Sequence, residues 1–405
     1  MSRRYDDNPL MNNKNNGPNW KKILGISLSI ILGIVAIGGG VIYYVGHNLI
    51  SLSNYVADED VKTVAVDQLP EEAKQTVSTE EKQGVVLNEQ ELNTIHEKMS
   101  SLNTVEKVKD DSVYNFMLVG VDRRDKSWNG NSDSMMLVSI NNTAKRVSII
   151  SLMRDTYVDI ADYGYAKLNA AYAYGGGPLL TSTVSDTYKI DVSDYAAVDF
   201  ENMIEIVDAL GGVDLTMTDA EVTVANGYMM DMCNTLGLYG DDYVLPGGGS
   251  YHCNGVQAVA YARNRYVGNS DYARTERQRY VISQIIAEIK LMSVSQLTQF
   301  VTDVLPLVTH NVEESKIWDL VTQAPEILQY NFVQDRIPYD NMYDVIYEDS
   351  QDMLVPQWET TLEKLHETIY GDGSISDNSD NDTENKVDTN DKFTSDYPGL
   401  VSEVE

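Results

Sequence analysis

Hydrophobic positions along this chain fall into distinct regimes. From Ile23 to Val45 the run ILGISLSIILGIVAIGGGVIYYV carries no charged residue, and at 1.5 Å per residue it is long enough to cross roughly 30 Å of hydrocarbon. Residues 46–111 are polar, with Leu87, Leu92, Ile95 and Met99 scattered among Lys, Glu and Gln; this is the pattern of a stalk or accessory segment with one or two helices. Residues 112–370 hold the dense apolar runs of a folded domain. From 371 to 405 the chain is Asp, Asn, Ser and Thr, too poor in apolar surface to offset the entropy of ordering, and is expected to be disordered.

Within 112–370 the periodicity alternates between strand and helix. VYNFMLVGV (113–121) reads as a buried strand. SMMLVSI and KRVSIISL read as two strands joined by a hairpin at Asn141-Asn142. KLNAAYAY and PLLTSTVSDTYKI are helical, separated by Gly175-Gly176-Gly177. VDFENMIEIVDALGGVDLTM reads as a strand end, an amphipathic helix, a Gly-Gly stop and another strand. VQAVAYAR and TERQRYVISQIIAEIKLM are helices, and 295–370 also looks helical. Alternating strands and helices predict a layered α/β domain.

The flanks of the 23–45 segment orient it. Arg3, Arg4, Lys14, Lys21 and Lys22 precede it, and Asp58, Glu59 and Asp60 follow. A cleaved signal peptide would have an apolar core of roughly 7–15 residues, so an uncleaved anchor is favoured. By the positive-inside rule residues 1–22 form a cytoplasmic tail and the rest lies outside a cell membrane crossed once.

Charge then narrows the chemistry. Acidic residues number 62 against 30 basic ones, a net charge of -32. Duplex binding draws its affinity from Lys and Arg on phosphates, so nucleic acid is excluded as a partner. Any anion site has to be a local concentration of arginine held against the global field. Cys233 and Cys253 sit in no CxxC or His-rich setting, which leaves a disulfide or two free thiols and no zinc centre.

Four constellations carry candidate chemistry. GVDRR ends the first strand with Asp122, Arg123 and Arg124, at the carboxyl edge where open α/β sheets bind ligands. Asp133 precedes the next strand, so two carboxylates meet at neighbouring strand edges and suit a hard cation shared with phosphates. Each alone reads equally as a turn residue. SLMRDTYV places Arg154 and Asp155 after a third strand, by themselves an ordinary ion pair. YARNRYVGNSDYARTERQR gathers Arg263, Arg265, Arg274, Arg277 and Arg279 with no lysine. Arginine is the residue for planar, bidentate clamping of phosphate.

GVDRR, SDSMMLVSI, SLMRDTYV, KLNAAYAYGG, DALGGVDL, GVQAVAYARNR and DYARTERQR, in this order, resemble the LytR-CpsA-Psr (LCP) family of membrane-anchored phosphotransferases. The resemblance implies a three-layer α/β/α domain with a central mixed sheet and an apolar groove for a polyprenyl tail. It implies Mg²⁺, with Mn²⁺ as the alternative, on Asp122 and Asp133. It implies transfer of a glycosyl phosphate from a polyprenyl-pyrophosphate-linked glycan to a peptidoglycan hydroxyl. Arg124, Arg154, Arg263, Arg265, Arg274, Arg277 and Gln278 would bind pyrophosphate, and Arg154, Arg263 and Arg274 would act in catalysis. Asp271 or Asp155 would handle the acceptor proton. Two departures stand out: Asn131 replaces an arginine, for which Arg123 or Arg124 is the substitute candidate, and Met153 replaces a proline. The segment around 226–255 reads as a peripheral insert. A hydrolase using the same site, or a non-catalytic lipid-binding or regulatory module, is the alternative.

Overall fold

The apolar run beginning at Val113 becomes a central strand of a seven-stranded mixed sheet. The structure is a computed structural model in which residues 53–69, 84–123, 128–268 and 270–371 are described. All lie within Ser53–Glu405, the second of the two compact units into which the chain divides. The expected membrane segment 23–45, both terminal tails beyond Gly371 and before Ser53, and Arg124 lie outside the described residues. Among the described residues no helix is long and apolar enough to cross a membrane.

The strands are β1 (Asn54–Tyr55), β2 (Val113–Asp122), β3 (Asn131–Asn141), β4 (Arg146–Leu152), β5 (Tyr157–Ile160), β6 (Gly164–Lys167), β7 (Asp194–Asp199), β8 (Val213–Met217), β9 (Gly249–Cys253), β10 (Thr309–His310), β11 (Asn331–Ile337), β12 (Tyr343–Glu348) and β13 (Gln351–Pro356). The helices are α1 (Glu89–Ser101), α2 (Leu168–Tyr188), α3 (Phe200–Leu210), α4 (Asp219–Leu236), α5 (Gly255–Arg263), α6 (Ser270–Leu291), α7 (Val294–Val304), α8 (Glu314–Ile327) and α9 (Trp358–Tyr370). The sheet order is β1-β10-β7-β2-β3-β4-β11. β2 runs antiparallel to β3 and parallel to β7, and β4 runs antiparallel to β3 and parallel to β11.

Continuous apolar runs are what a sheet covered on both faces requires. Met117, Met135, Leu137 and Ile150 point into one core, with Leu180 of α2, Ile95 of α1 and Leu365 of α9. Met136, Val138, Val147 and Ile149 point the other way, towards Ile282 and Ile286 of α6 and Leu320 of α8. The expected layered α/β architecture with a central mixed sheet is therefore present. The Gly-Gly-Gly break appears as a kink in α2 at Gly175 and Gly176, and a Cβ on Gly177 would lie 2.2 Å from the Tyr195 ring. Gly211 closes α3 in the left-handed conformation at φ +99°, which glycine adopts without steric cost.

Three expectations change. The described parts of 46–111 are no free stalk: Ile95, Met99 and Leu102 enter the main core, and β1 pairs with β10 at the sheet edge. The region 295–370 is only partly helical. NFVQDRI pairs in parallel with β4, and β12 and β13 form a hairpin turning at Asp349 and Ser350; a strand whose partner lies far back in sequence leaves no local hairpin signal. The segment 226–255 is not peripheral. α4 packs on α5 through Met229, Met232 and Cys233, and β9 pairs with β8 apart from the main sheet. Cys233 and Cys253 are buried free thiols.

Ile95→Ala should lower the unfolding free energy of the full chain by about 2–5 kcal/mol, read by denaturant titration. A loss under about 0.5 kcal/mol, the range of surface substitutions, would mean that α1 does not belong to the core.

Candidate functional site

Three adjacent strands end at one sheet edge and carry the chemistry there. The β2–β3 register pairs Val119 with Met135 and Gly120 with Ser134, then shifts so that Val121 faces Ser132. Asp133 falls in this bulge, and a bulge re-aims the side chain it frees. Asp122, the last residue of β2, sits opposite Asn131. On the other side of β3, the chain leaves β4 through Met153 into a tight Arg154-Asp155-Thr156 turn. That turn is held from several directions. Thr156 Oγ1 donates to the Met153 carbonyl at 2.7 Å. The Leu168 and Asn169 N–H groups opening α2 donate to the Thr156 and Arg154 carbonyls, satisfying helix N-terminal donors that have no intrahelical acceptor.

Arg154 is the hub of a partly buried ion network. Its Nη1 donates to Asp133 Oδ1 at 2.9 Å, and its Nε donates to Asp271 Oδ2 at 2.8 Å and lies 3.6 Å from Asp155 Oδ2. Lys167, only 8% exposed, reaches the other Asp155 oxygen at 2.5 Å. Arg274 Nη2 donates to Asp271 Oδ2 and to the Asp133 carbonyl, both at 3.2 Å. Burial alone would raise the Asp133 carboxyl, but Arg154, Arg274 and Arg265 outweigh it and hold the group below the ordinary carboxylate range. Asp155 is treated the same way: burial pushes it up, and Arg154 and Lys167 bring it below the usual value. Arg154 itself is raised, its desolvation exceeded by the pull of Asp133, Asp155 and Asp271.

Two buried atoms in this network have no hydrogen-bond partner among the described residues: Asp271 Oδ1 and Arg274 Nε. Such atoms occur elsewhere among the described residues, Tyr188 Oη and Trp358 Nε1 for example; what distinguishes these two is their place inside the arginine cluster. Asp155, by contrast, has Oδ1 at 2.5 Å from Lys167 Nζ and Oδ2 at 3.6 Å from Arg154 Nε.

The loop arginines separate in role. Arg263, at the end of α5, stacks over Phe200 at 4.4 Å and Tyr228 at 5.3 Å, and its Nη2 lies 4.0 Å from Asp122 Oδ2. Arg265 stacks on Tyr266 at 5.6 Å and adds its field to Asp133. Arg277 is turned away from the cluster: its three nitrogens donate to Glu221 and to the Asn264 and Val267 carbonyls. The sequence expectation that it contacts pyrophosphate is not met by this geometry. Helical spacing put it three residues from Arg274, but the two guanidiniums have different partners. Arg279 likewise faces Ser151. Arg123 is half-buried and donates Nη1 to the Trp128 carbonyl at 3.4 Å.

An apolar cavity of about 210 Å³ adjoins the cluster on the α3–α5–α6 face of the sheet, walled by Leu118, Met136, Val198, Met203, Val259 and Ile285. Arg263 and Gln278 also line it, and Arg263, 4.0 Å from Asp122, stands between the charged edge and the apolar pocket. Sequence reading missed Lys167, Phe200, Tyr228 and Glu221. A lone lysine opening an apolar helix was a signal for the first; the others are brought in only by packing.

Asp122 and Asp133 fit a hard cation in donor type, being carboxylates on neighbouring strand ends. Among the described residues no group of three or more His, Cys, Asp or Glu side chains converges to hold a metal alone.

Comparison with known proteins gives concordant results. Residues 72–366 match the LytR_cpsA_psr family. The chain is 34% identical over 240 residues to "Biofilm regulatory protein A" of Streptococcus mutans, covering 55% of each chain. It is 33% identical over 213 residues, 50% of this chain, to "Polyisoprenyl-teichoic acid--peptidoglycan teichoic acid transferase TagU" of Enterococcus faecalis. The match spans 55% and 64% of the lengths of these two relatives. Among solved structures, "TagT bound to LI-WTA" shares the fold, with a TM-score of 0.53 at 24% identity over 67% of this chain and 96% of that one.

The depressed Asp133 and Asp155 carboxyls imply a pH dependence with a definite sign. The unfolded chain takes up protons near pH 4, while these folded carboxylates resist until lower pH. Their stabilisation is therefore complete above about pH 4 and is lost as pH falls from there through the folded values. Replacing Asp133 by Asn should flatten the acid limb of stability against pH, measured by thermal unfolding between about pH 2 and 6. An unchanged acid slope would contradict the network's charge state.

Proposed function

Since the chain belongs to the LytR-CpsA-Psr family, we propose that it transfers a glycosyl phosphate from a polyprenyl-pyrophosphate-linked wall glycopolymer to a peptidoglycan hydroxyl. The observation that carries this reading is the double placement of Arg263, which faces Asp122 at the charged strand edge and also lines the apolar cavity. A ligand with an anionic head joined to a hydrocarbon tail is the chemistry that uses both at once. Teichoic acid, named for the Enterococcus relative, is one polymer of this class.

In the proposed reaction the acceptor hydroxyl oxygen attacks the phosphorus next to the glycan. A new P–O bond forms, the bridging P–O bond of the pyrophosphate breaks, and polyprenyl phosphate leaves. Arg263, Arg265 and Arg274 bind and orient the pyrophosphate oxygens, and Gln278 contacts the head where it enters the cavity. Arg154 holds Asp133 and Asp271 in place from beneath. Asp271 Oδ1 accepts the hydroxyl proton. Asp122 and Asp133 would hold Mg²⁺ or Mn²⁺, which when bound supplies charge neutralisation at the phosphates. Preorganised charge of this kind is the largest share of catalysis in phosphoryl transfer.

The proposal includes a single anchor over 23–45, with a cytoplasmic N-terminus and the domain outside the cell membrane. It is supported by the uncharged run and the basic flank before it. An outward-facing enzyme using a pyrophosphate-activated lipid needs no nucleotide.

The test is incubation of the full chain with a defined lipid-pyrophosphoryl glycan and peptidoglycan oligomers, with products identified by mass. A covalent glycan–phosphate–peptidoglycan adduct and free polyprenyl phosphate are expected. Asp271→Asn should reduce turnover by about 10²-fold or more with lipid binding retained, and chelation should reduce it reversibly. Polyprenyl phosphate released without an adduct, acceptor being present, would sink the transferase reading in favour of hydrolysis.

A further inference from the structure

Arg277 is only 6% exposed, and each of its three nitrogens has a protein partner. Nε donates to Glu221 Oε1 at 2.9 Å, Nη1 to the Asn264 carbonyl at 2.8 Å and Nη2 to the Val267 carbonyl at 2.7 Å. Both carbonyls belong to the short connection between α5 and α6, the connection that carries Arg263 at its start and Arg265 within it. Glu221 is anchored on its far side. Its Oε2 accepts from the Thr218 N–H and hydroxyl, both at 2.9 Å, in the capping box that opens α4. Burial would raise the Glu221 carboxyl, but the Thr218 hydrogen bonds and Arg277 hold it below its ordinary value, so the pair is ionic. Asn264, fully buried, adds a bond from its side-chain amide to the Glu221 carbonyl at 3.4 Å.

A connection bearing two arginines a residue apart is a poor candidate to hold its own shape. Like charges repel, Tyr266 is 67% exposed, and Gly268 has φ +85°. Within it the Tyr266 N–H donates to Asn264 Oδ1 at 3.1 Å, and the other ties come from outside the connection. A guanidinium is suited to that task because its planar fork meets a carboxylate and two carbonyls together, whereas an ammonium is a single point.

We propose that Arg277 and Glu221 are positioning residues, an ion pair that ties the Asn264–Val267 connection to α4 so that Arg263 and Arg265 meet their anionic ligand already in place. Arg277 touches no substrate. What the connection serves rests on the transferase reading; the tie itself does not. Preorganising a binding loop raises affinity by removing the ordering cost on association, and small misplacements of charged groups are expensive in turnover.

The test uses the full chain in detergent and two readouts: backbone amide exchange across 264–268, and binding of a short-chain polyprenyl pyrophosphate probe. Glu221→Gln and Arg277→Lys should each speed exchange by about tenfold or more and weaken probe binding by about tenfold. Their double variant should lose little beyond either single one, as coupled residues do. Arg263→Ala should weaken binding with exchange unchanged. Wild-type exchange in both Glu221→Gln and Arg277→Lys overturns the proposal, as does a binding loss in Arg277→Lys with exchange unmoved, which would make Arg277 a direct ligand. Glu221 is partly exposed and lies outside the main core, so its variant keeps the test decisive if Arg277→Lys misfolds. A wild-type protein that ignores the probe defeats the transferase reading, and amide exchange still decides the tie.

Discussion

One half-buried guanidinium sets the geometry of the strand-edge cluster. Arg154 leaves the end of β4 and reaches Asp133 in the β3 bulge, Asp271 at the start of α6 and Asp155 in its own turn. Taking these charges out of water is costly, and the cost is met only because the carboxylates and Lys167 surround the arginine with matched partners. Removing one member would leave the others buried and uncompensated. The arginines hold the half-buried Asp133 carboxyl below its ordinary range against the pull of desolvation, and without Arg154 Asp271 would lose the contact that aims it. The strand edge is thus rigid because its charges satisfy one another.

That closure is incomplete at one side, and the incompleteness is informative. Asp271 Oδ1 and Arg274 Nε are buried without partners, and Arg263 is held by aromatic faces more than by carboxylates. The arginine set therefore divides. Arg277 has each of its three nitrogens paired within the protein, whereas Arg154 pairs only Nε and Nη1 with Asp271 and Asp133, and Arg263, Arg265 and Arg274 keep capacity toward a ligand. In a chain with a net charge of -32, such a cluster is a local reversal of sign, and field lines from an anion converge on it.

The alternation of strands and helices, the hairpin at Asn141, the break at Gly175–Gly177 and the Gly211 stop were all legible in the sequence, because each depends on neighbours a few residues away. The segment from 84 to 104 was not. Ile95 and Met99 look like scattered apolar positions until the far side of the sheet is present to bury them. β11 gave no signal for a comparable reason: it pairs with β4, from which about two thirds of the domain separates it in sequence. For the site, the strand-end aspartates and the arginine-rich connection were visible by residue type, and the order of motifs identified the family.

The sequence alone thus determined which residue types are gathered, on which strand ends and helix starts they sit, and that a cationic site exists in an acidic chain. Those are properties of local periodicity and composition. Only the tertiary structure decided which arginines are free. Arg274 and Arg277 are equivalent by helical spacing, yet one meets Asp271 and the other meets Glu221 of α4, a partner 56 residues away. Likewise Asp155 and Asp271 are both carboxylates beside arginines, and only the buried Lys167 separates them by occupying the first. A hydrogen bond is settled by distances of tenths of an ångström between segments remote in the chain, and no pattern along the sequence encodes that.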